Sequence, residues 1–414
     1  MDKITAQSTL TFEGNIVLKR YNIDFAYYNI DNFNSEVNVI NMFKDSKYCL
    51  KFFDIKENEY KMERMDFDLG DDRCLNEKNV RRVLFSIGID GILSILDNML
   101  KDLKKYGINH RDINPGNILF SEKDGLLKFT DFAWAEHVNS PVTIPGVVNN
   151  VYTTNDDHAI EKIKNEIKDL YKRLEPKLKK IRESFEENVG KNVHIGGTSG
   201  NRTIEGDYKD GSSIRQGWAY HIIDIPFFRN IPHHKDTCIE EHKTIRKCLP
   251  IKPKSFLDIG CSCGYHTFNF IKDFDILYCD SFEADPDVNN FLSSVKEFYN
   301  LNEFILGLNF NDNINLNKQY DVTIFLNSHM WIYKQIGREK TLKAVRNIID
   351  NTKWLFFQTA GKYSSSAYII EEYKTDKDIE NMLLSCGALS VKKINTFVGS
   401  HGAPRDMFLV EGNK

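Results

Sequence analysis

Neither sign of charge prevails in this 414-residue chain: 55 Lys and Arg stand against 59 Asp and Glu, a net charge of −4. Such a balance supplies no basic field. No cluster of basic residues interleaved with aromatics makes one locally, so no nucleic-acid partner is expected. No stretch reaches the roughly 18 consecutive apolar residues of a membrane span, and Met1 to Gly14 carries Asp2, Lys3, Gln7 and Glu13 where a secretory signal needs an unbroken apolar core. The expectation is a cytoplasmic protein, attached peripherally at the inner face of the membrane through a biosynthetic complex. The 8 cysteines include no CxxC pair and read as free thiols of a reducing compartment. His233, His234, Cys238, His242 and Cys248 match no zinc spacing. An amphipathic helix accounts for Cys238 and His242, one turn apart.

The length admits two or three domains. Residues 1–157 are strand-rich and then helical: strands are expected at 15–21, 49–54 and 59–65, and a helix over 83–104, where Ile92, Leu96, Met99 and Leu103 recur at helical spacing. Residues 158–189 read as a charged helical spacer with an apolar stripe from Ile160 to Phe185, interrupted at Pro176. That stripe also suits self-association, so a homo-oligomer is among the expectations. Residues 190–212, rich in Gly, Ser, Thr and Asn, read as a flexible linker or lid. Over 213–414 strands and helices alternate, with strands expected at Ser255–Ile259, Asp275–Asp280, Phe304–Leu308, Asp321–Leu326 and Trp354–Gln358, which argues a doubly wound α/β sheet.

Two short motifs carry chemistry. His110-Arg111-Asp112 is followed by Asn117 and then by Thr130-Asp131-Phe132. Phosphoryl transfer needs a carboxylate for the acceptor hydroxyl, ligands for Mg²⁺ and a cation on the phosphates. Asp112 is the candidate base, Asn117 and Asp131 the metal ligands, Lys19 the phosphate cation and Glu36 its ion-pair partner. By these residues the region from about 10 to 140 resembles the protein-kinase-like superfamily, which implies ATP and Mg²⁺ as cofactors. It departs from that pattern in lacking a glycine-rich loop upstream of Lys19 and in having Ala133 after Asp131-Phe132. Little substrate-docking surface follows, which favours a small or glycan acceptor over a protein.

The second motif, Asp258-Ile259-Gly260-Cys261-Ser262-Cys263-Gly264, lies between a strand and a helix, and Glu283 ends the next strand about 20 residues on. Glycines there permit a tight turn and close approach to a ligand. The segment resembles the class I S-adenosylmethionine (SAM)-dependent methyltransferases. That resemblance implies that Asp258, Gly260, Cys261 and Gly264 shape a SAM pocket, that Glu283 holds the ribose and that Asp312 lies beside the adenine. Asn327 and His329, in the segment after the fourth strand, fall where acceptor and methyl donor meet, His329 either as a base or as a packed loop histidine. Tyr220 belongs to an aromatic segment suited to cover the cofactor.

Residues 250–412, and Gly402 to Val410 above all, also resemble the methyltransferase domain of bacterial O-antigen chain-terminating enzymes, which phosphorylate the end of a lipopolysaccharide chain and methylate that phosphate. Here the domain order is reversed, and only His329 stands where paired histidines are expected. Arg405 is then an anion ligand for a glycan or phosphorylated sugar acceptor. The expectation is a multidomain protein: a reduced α+β protein-kinase-like domain, a helical spacer and an α/β Rossmann-like class I methyltransferase domain. It would act as a glycan kinase and methyltransferase in surface polysaccharide biosynthesis. The alternative is a small-molecule or protein methyltransferase regulated by a nucleotide-binding pseudokinase domain.

Overall fold

The computed structural model describes residues 2–4, 8–21, 30–138, 155–189, 217–308, 316, 318–359, 370–398 and 404–414. The segment 190–212 expected as linker or lid lies outside them, as do Asp312, Gly402 and Ala403. The chain forms two compact units, 1–176 and 177–414.

In the first unit β1 (Asp2–Ile4), β2 (Ser8–Glu13) and β3 (Ile16–Tyr21) precede helix α1 (Ile30–Phe43), and β4 (Phe52–Lys56) and β5 (Glu59–Glu63) complete an antiparallel sheet of order β1-β2-β3-β5-β4. Side chains alternate across a strand, so Val17, Lys19 and Tyr21 share the buried face of β3. On α1 the buried residues Phe33, Glu36, Ile40 and Phe43 recur at steps of three and four. Period two on the strand and period 3.6 on the helix therefore each carry one charged residue into the interior.

Next come β6 (Phe67–Asp68), α2 (Glu77–Lys105), β7 (Ile108–Asn109), β8 (Ile118–Ser121), β9 (Leu126–Phe129) and β10 (Glu136–His137). β6, β8 and β9 form one small antiparallel sheet, and β7 pairs with β10. Helix α2, capped by the Asn76 side chain, breaks from helical geometry at Gly88 (φ 70°, ψ 176°). By length and composition it is apolar enough to cross a membrane, which differs from the expectation of no such run. In the fold its face of Val83, Ile92, Leu96, Met99 and Leu103 is buried, and the polar residues Asp90, Ser94, Asn98 and Lys101 make the exposed stripe.

Helix α3 (Asp156–Asn188) contains Pro176 and continues through it, where the sequence suggested an interruption. A proline costs a helix one hydrogen bond and some crowding; here buried Ile160, Ile163, Ile167 and Leu170 before it, and Leu178 and Phe185 after it, offset that cost. The division between the units falls inside this helix. Residues expected as a free spacer are thus shared out: Lys164 pairs with Asp97 at 2.8 Å in the first unit, and Phe185 packs edge-on against Phe291 in the second.

The second unit opens with the short parallel pair β11 (Ala219–His221) and β12 (His233–Lys235), then α4 (Thr237–Cys248). There follow β13 (Ser255–Ile259), α5 (Tyr265–Asp273), β14 (Tyr278–Glu283), α6 (Pro286–Tyr299), β15 (Phe304–Leu308), β16 (Tyr320–Leu326), α7 (His329–Ile336), α8 (Arg338–Asp350), β17 (Thr352–Gln358), α9 (Asp376–Ser385), β18 (Ser390–Val398) and β19 (Pro404–Glu411). The sheet order is β15-β14-β13-β16-β17-β19-β18. The first five strands are parallel, in the doubly wound order, and β19 inserts antiparallel between β17 and β18. Strand β14 begins three residues later than expected, because Asp275 to Leu277 form the turn into it. Leu257, Phe325, Val345, Leu355, Phe357, Leu383 and Phe408 belong to a core against one face; on β13 and α5, Phe256 and Phe270 stack at 4.1 Å. Each such burial is worth about 1.5–3 kcal/mol.

Leu96→Ala should remove about 2–5 kcal/mol from the first unit, read as a lower urea midpoint; an unchanged midpoint would show that this face of α2 is not packed.

Candidate functional site

The charged residues that β3 and α1 turn inward meet the motif loop. Lys19 Nζ donates to Asp131 Oδ1 at 3.0 Å and lies 3.5 Å from Glu36 Oε1. The same Glu36 oxygen accepts from Tyr60 Oη at 3.1 Å and from the Phe132 amide at 3.0 Å. Burial pushes the Glu36 carboxyl up to about 7, Lys19 opposing and the Asp131 charge adding to the rise. At Asp131, desolvation raises the carboxyl, but Lys19 and His110 outweigh it and the net direction is down. Asp131 is the residue kept ionised.

Asp112 sits in the loop between β7 and β8, beside a 3-10 turn, Pro115–Asn117. Asn114 caps that turn, its side chain accepting from the Gly116 and Asn117 amides at 2.9 and 3.2 Å. Asn117 Nδ2 donates to the Asp112 carbonyl at 2.9 Å and to its carboxylate at 3.0 Å. The Asn117 amide nitrogen is thereby committed to Asp112, and its amide oxygen is the atom able to meet a metal. Burial, with the Asp131 charge, pushes Asp112 up to about 7, near where a general base works best.

Asp156, at the start of α3, accepts from the His110 amide at 2.6 Å and the Arg111 amide at 2.8 Å. Buried His110 packs its ring on Phe132 and meets the Thr130 carbonyl at 3.0 Å. Arg111 (φ 64°) and Asp131 (φ 59°) both adopt left-handed backbone, a strain the surrounding bonds must hold. The sequence reading missed Asp156, Asn114 and Tyr60. Only Asn114 left a readable signal, as an Asx residue before Pro115.

Among the described residues no group of three His, Cys, Asp or Glu side chains could hold a metal. Asp131 and the Asn117 amide oxygen fit Mg²⁺ nonetheless, since that ion takes one or two protein ligands and fills the rest with phosphate and water. Near α4, His242 Nε2 is hydrogen-bonded to Asp273 Oδ2 at 2.9 Å. The side chain of His234 lies outside the described residues.

In the second unit the glycine turn leaves the carboxyl end of β13. Gly260 has φ +76°, and a Cβ there would meet Ser328 Oγ at 1.9 Å; at Gly264, φ +79°, it would meet the Phe268 ring at 2.7 Å. These two positions of the turn therefore admit glycine alone. Glu283 accepts from the Ser262 amide at 2.7 Å and the Asp285 amide at 2.9 Å, which aims it across the turn. Each of its oxygens keeps a lone pair for a ribose hydroxyl. Asp258 is buried and accepts from Thr267 Oγ1 at 2.7 Å, so it fastens α5 beneath the turn. Cys261 is buried, and burial pushes its thiol well above the ordinary value. The Tyr220 backbone hydrogen-bonds Cys263, while its ring is exposed and packs on His221. SAM fits the acceptor carboxylate of Glu283 beside this glycine turn.

At the carboxyl ends of β16 and β17, Asn327 donates to Gln358 Oε1 at 2.6 Å and accepts from Arg405 Nη1. Arg405 is 8% exposed, its Nε is buried without a partner, and no carboxylate among the described residues pairs with it. Leaving a guanidinium so placed costs several kcal/mol unless an anion joins it. Of the two readings of His329, the geometry favours the packed histidine. Its ring is enclosed by Phe325, Phe357 and Tyr373, Nδ1 meets Thr359 at 3.0 Å, and burial lowers the pKa to about 3. It is a packed neutral ring, too weak a base to deprotonate an acceptor.

No family model and no curated protein matches the chain. Among solved structures it is similar to EvdMO1, with 11% identity over 45% of this chain and 42% of that one at a TM-score of 0.35. It is similar to the bifunctional kinase-methyltransferase WbdD, with 15% identity over 47% and 43% at 0.36. It is also similar to the N-methyltransferase NodS of Bradyrhizobium japonicum WM9, with 11% identity over 42% and 87% at 0.34. The chain thus spans under half the length of the EvdMO1 and WbdD structures. Likeness of this extent leaves the chemistry to be read from the residues.

Because the His329 pKa lies below the ordinary value of about 6.5, the unfolded chain takes up a proton that the folded one refuses. Stability is full above about 6.5 and declines as the pH falls towards 3. His329→Gln should flatten that slope in urea unfolding, and the ring resonances of the wild type should not titrate above pH 4; a midpoint near 6.5 would contradict the enclosure.

Proposed function

We propose that the chain is a bifunctional glycan-modifying transferase. The first unit is an ATP- and Mg²⁺-dependent kinase of a sugar hydroxyl, and the second a SAM-dependent class I methyltransferase that caps the resulting phosphate. It serves surface polysaccharide biosynthesis in the cytoplasm, at the inner face of the membrane. The observation that carries the reading is the assembly of Lys19, Glu36 and Asp131 at one point, with Asp112 and Asn117 beside them, from segments up to 112 residues apart.

Bound ATP and Mg²⁺ supply an activated phosphoryl group. Lys19, held between Glu36 and Asp131, neutralises phosphate charge, and Asp131 with the Asn117 oxygen holds the metal. Asp112 accepts the proton of the acceptor hydroxyl as its oxygen bonds to phosphorus and the bridging bond breaks towards ADP. In the second unit Glu283 and the backbone of the Gly260 turn hold SAM, whose sulfonium supplies an electrophilic methyl group. Arg405 and Asn327 orient the acceptor. A phosphate oxygen already carries the lone pair and charge for attack, so the weakness of His329 as a base is no obstacle, and Arg405 has the anion its burial calls for. For a neutral hydroxyl the same site offers a cation where a base is needed.

With a polysaccharide acceptor, labelled ATP and methyl-labelled SAM, the wild type should incorporate both labels, and without SAM only phosphate. Asp112→Ala should lose both, and a chemically phosphorylated acceptor should restore its methylation. Methylation of untreated acceptor by Asp112→Ala would favour instead a methyltransferase with a regulatory nucleotide-binding domain. Arg405→Gln should lower kcat/KM for the phosphorylated acceptor roughly 10- to 100-fold, the loss of one charge-assisted hydrogen bond, with phosphorylation unchanged; an unaltered kcat/KM would remove Arg405 from the site.

A further inference from the structure

Beyond the strand ends the second unit has a cleft of 910 Å³ between α7 and the segment that leads into α9, lined by Tyr333, Lys334, Ile370, Glu371, Glu372, Lys374 and Asp378. Neither half of the chemistry above uses it. Tyr333 lies on α7 six residues after Asn327, and its ring centroid is 6.1 Å from that of His329 at the start of the same helix. Thr359, at the end of β17, bonds the first residue of α7 and fixes that helix to the strand ends.

We propose that this cleft is an auxiliary subsite for the non-reacting sugars of the acceptor, so that the methyltransferase reads chain length as well as the terminal phosphate. The proposal rests on the glycan-acceptor reading. Its chemistry is that of a polyhydroxylated ligand. Glu371, Glu372 and Asp378 accept from hydroxyls, Lys334 and Lys374 donate to oxygens, and the Tyr333 ring offers an apolar face to C–H groups. Three carboxylates repel a nucleic acid, and Ile370 with one ring is too little apolar surface for a lipid.

The subsite is preorganised. Tyr333 Oη donates to Glu372 Oε1, Arg338 lies 3.9 Å from the same oxygen, and the Tyr333 ring packs against His329 and Tyr373. Glu372 is thus held in place by Tyr333 while its side chain stays exposed, so a ligand hydroxyl finds a fixed acceptor.

The test compares methyl transfer to a monosaccharide phosphate and to an oligosaccharide carrying the same terminal phosphate. The wild type should show the lower KM for the oligosaccharide. Glu372→Ala and Lys374→Ala, both in an open surface cleft, should each raise that KM about 10-fold, one hydrogen bond's worth, and leave the monosaccharide phosphate unaffected. Equal KM values in the wild type, or equal effects on both acceptors, would overturn the subsite. If neither acceptor is methylated, the fault lies with the methyltransferase reading. Titration of unphosphorylated oligosaccharide, followed on the Tyr333 ring resonances, then decides the cleft by itself: shifts that Glu372→Ala abolishes support it, and unmoved resonances reject it.

Discussion

Lys19 is an ammonium group with 6% exposure, and a buried charge of that kind must be met by opposite charge and hydrogen bonds. The geometry of the first unit follows from that demand. Glu36 reaches Lys19 from α1, Asp131 from the loop after β9, and Tyr60 and the Phe132 amide donate to the same Glu36 oxygen that faces Lys19. With these bonds made, sheet, helix and loop are tied at one point. The motif loop is then held from its other side by Asp156, through the amides of His110 and Arg111. Two carboxylates of similar chemistry are driven apart by this arrangement: Asp131, against Lys19, stays ionised, while Asp112 rises to about 7.

The second unit solves a different problem, that of bringing backbone rather than charge to a ligand. The turn at Gly260 runs so close to Ser328 that no side chain fits. Glu283 reaches over it by accepting amides from both of the loops that end β13 and β14. A doubly wound sheet places these loops together because parallel strands all end on one edge. The antiparallel β19 then delivers Arg405 to that same edge, beside Asn327 and Gln358.

Much of this was legible in the residue order. The His110 and Asp258 motifs, the period-two alternation of β3 and the alternation of strands and helices after residue 213 each depend on neighbours in sequence, and all reappear as elements. Lys19 and Glu36, paired from the order of groups that phosphoryl transfer needs, do meet. Other features were not legible. Pro176 marks a break by local propensity, yet packing on both sides carries the helix through it. The apolar run of α2 looks uniform in the sequence, and its contacts with β7 and β9 set which face is buried.

Local pattern thus determined which residue types stand at the turns, the caps and the two motifs, because backbone propensity and side-chain periodicity act over a few residues. Tertiary structure alone decided protonation and partnership. His329 became a neutral packed ring and Asp112 a carboxyl near 7 because burial sets the cost of a charge, and burial is contributed by residues tens of positions away. Asp156 acquired its role from amides 45 and 46 residues upstream, and Arg405 its buried place beside Asn327 from a strand inserted after the rest of the sheet; no spacing rule spans such separations, since what joins them is the closing of the chain upon itself.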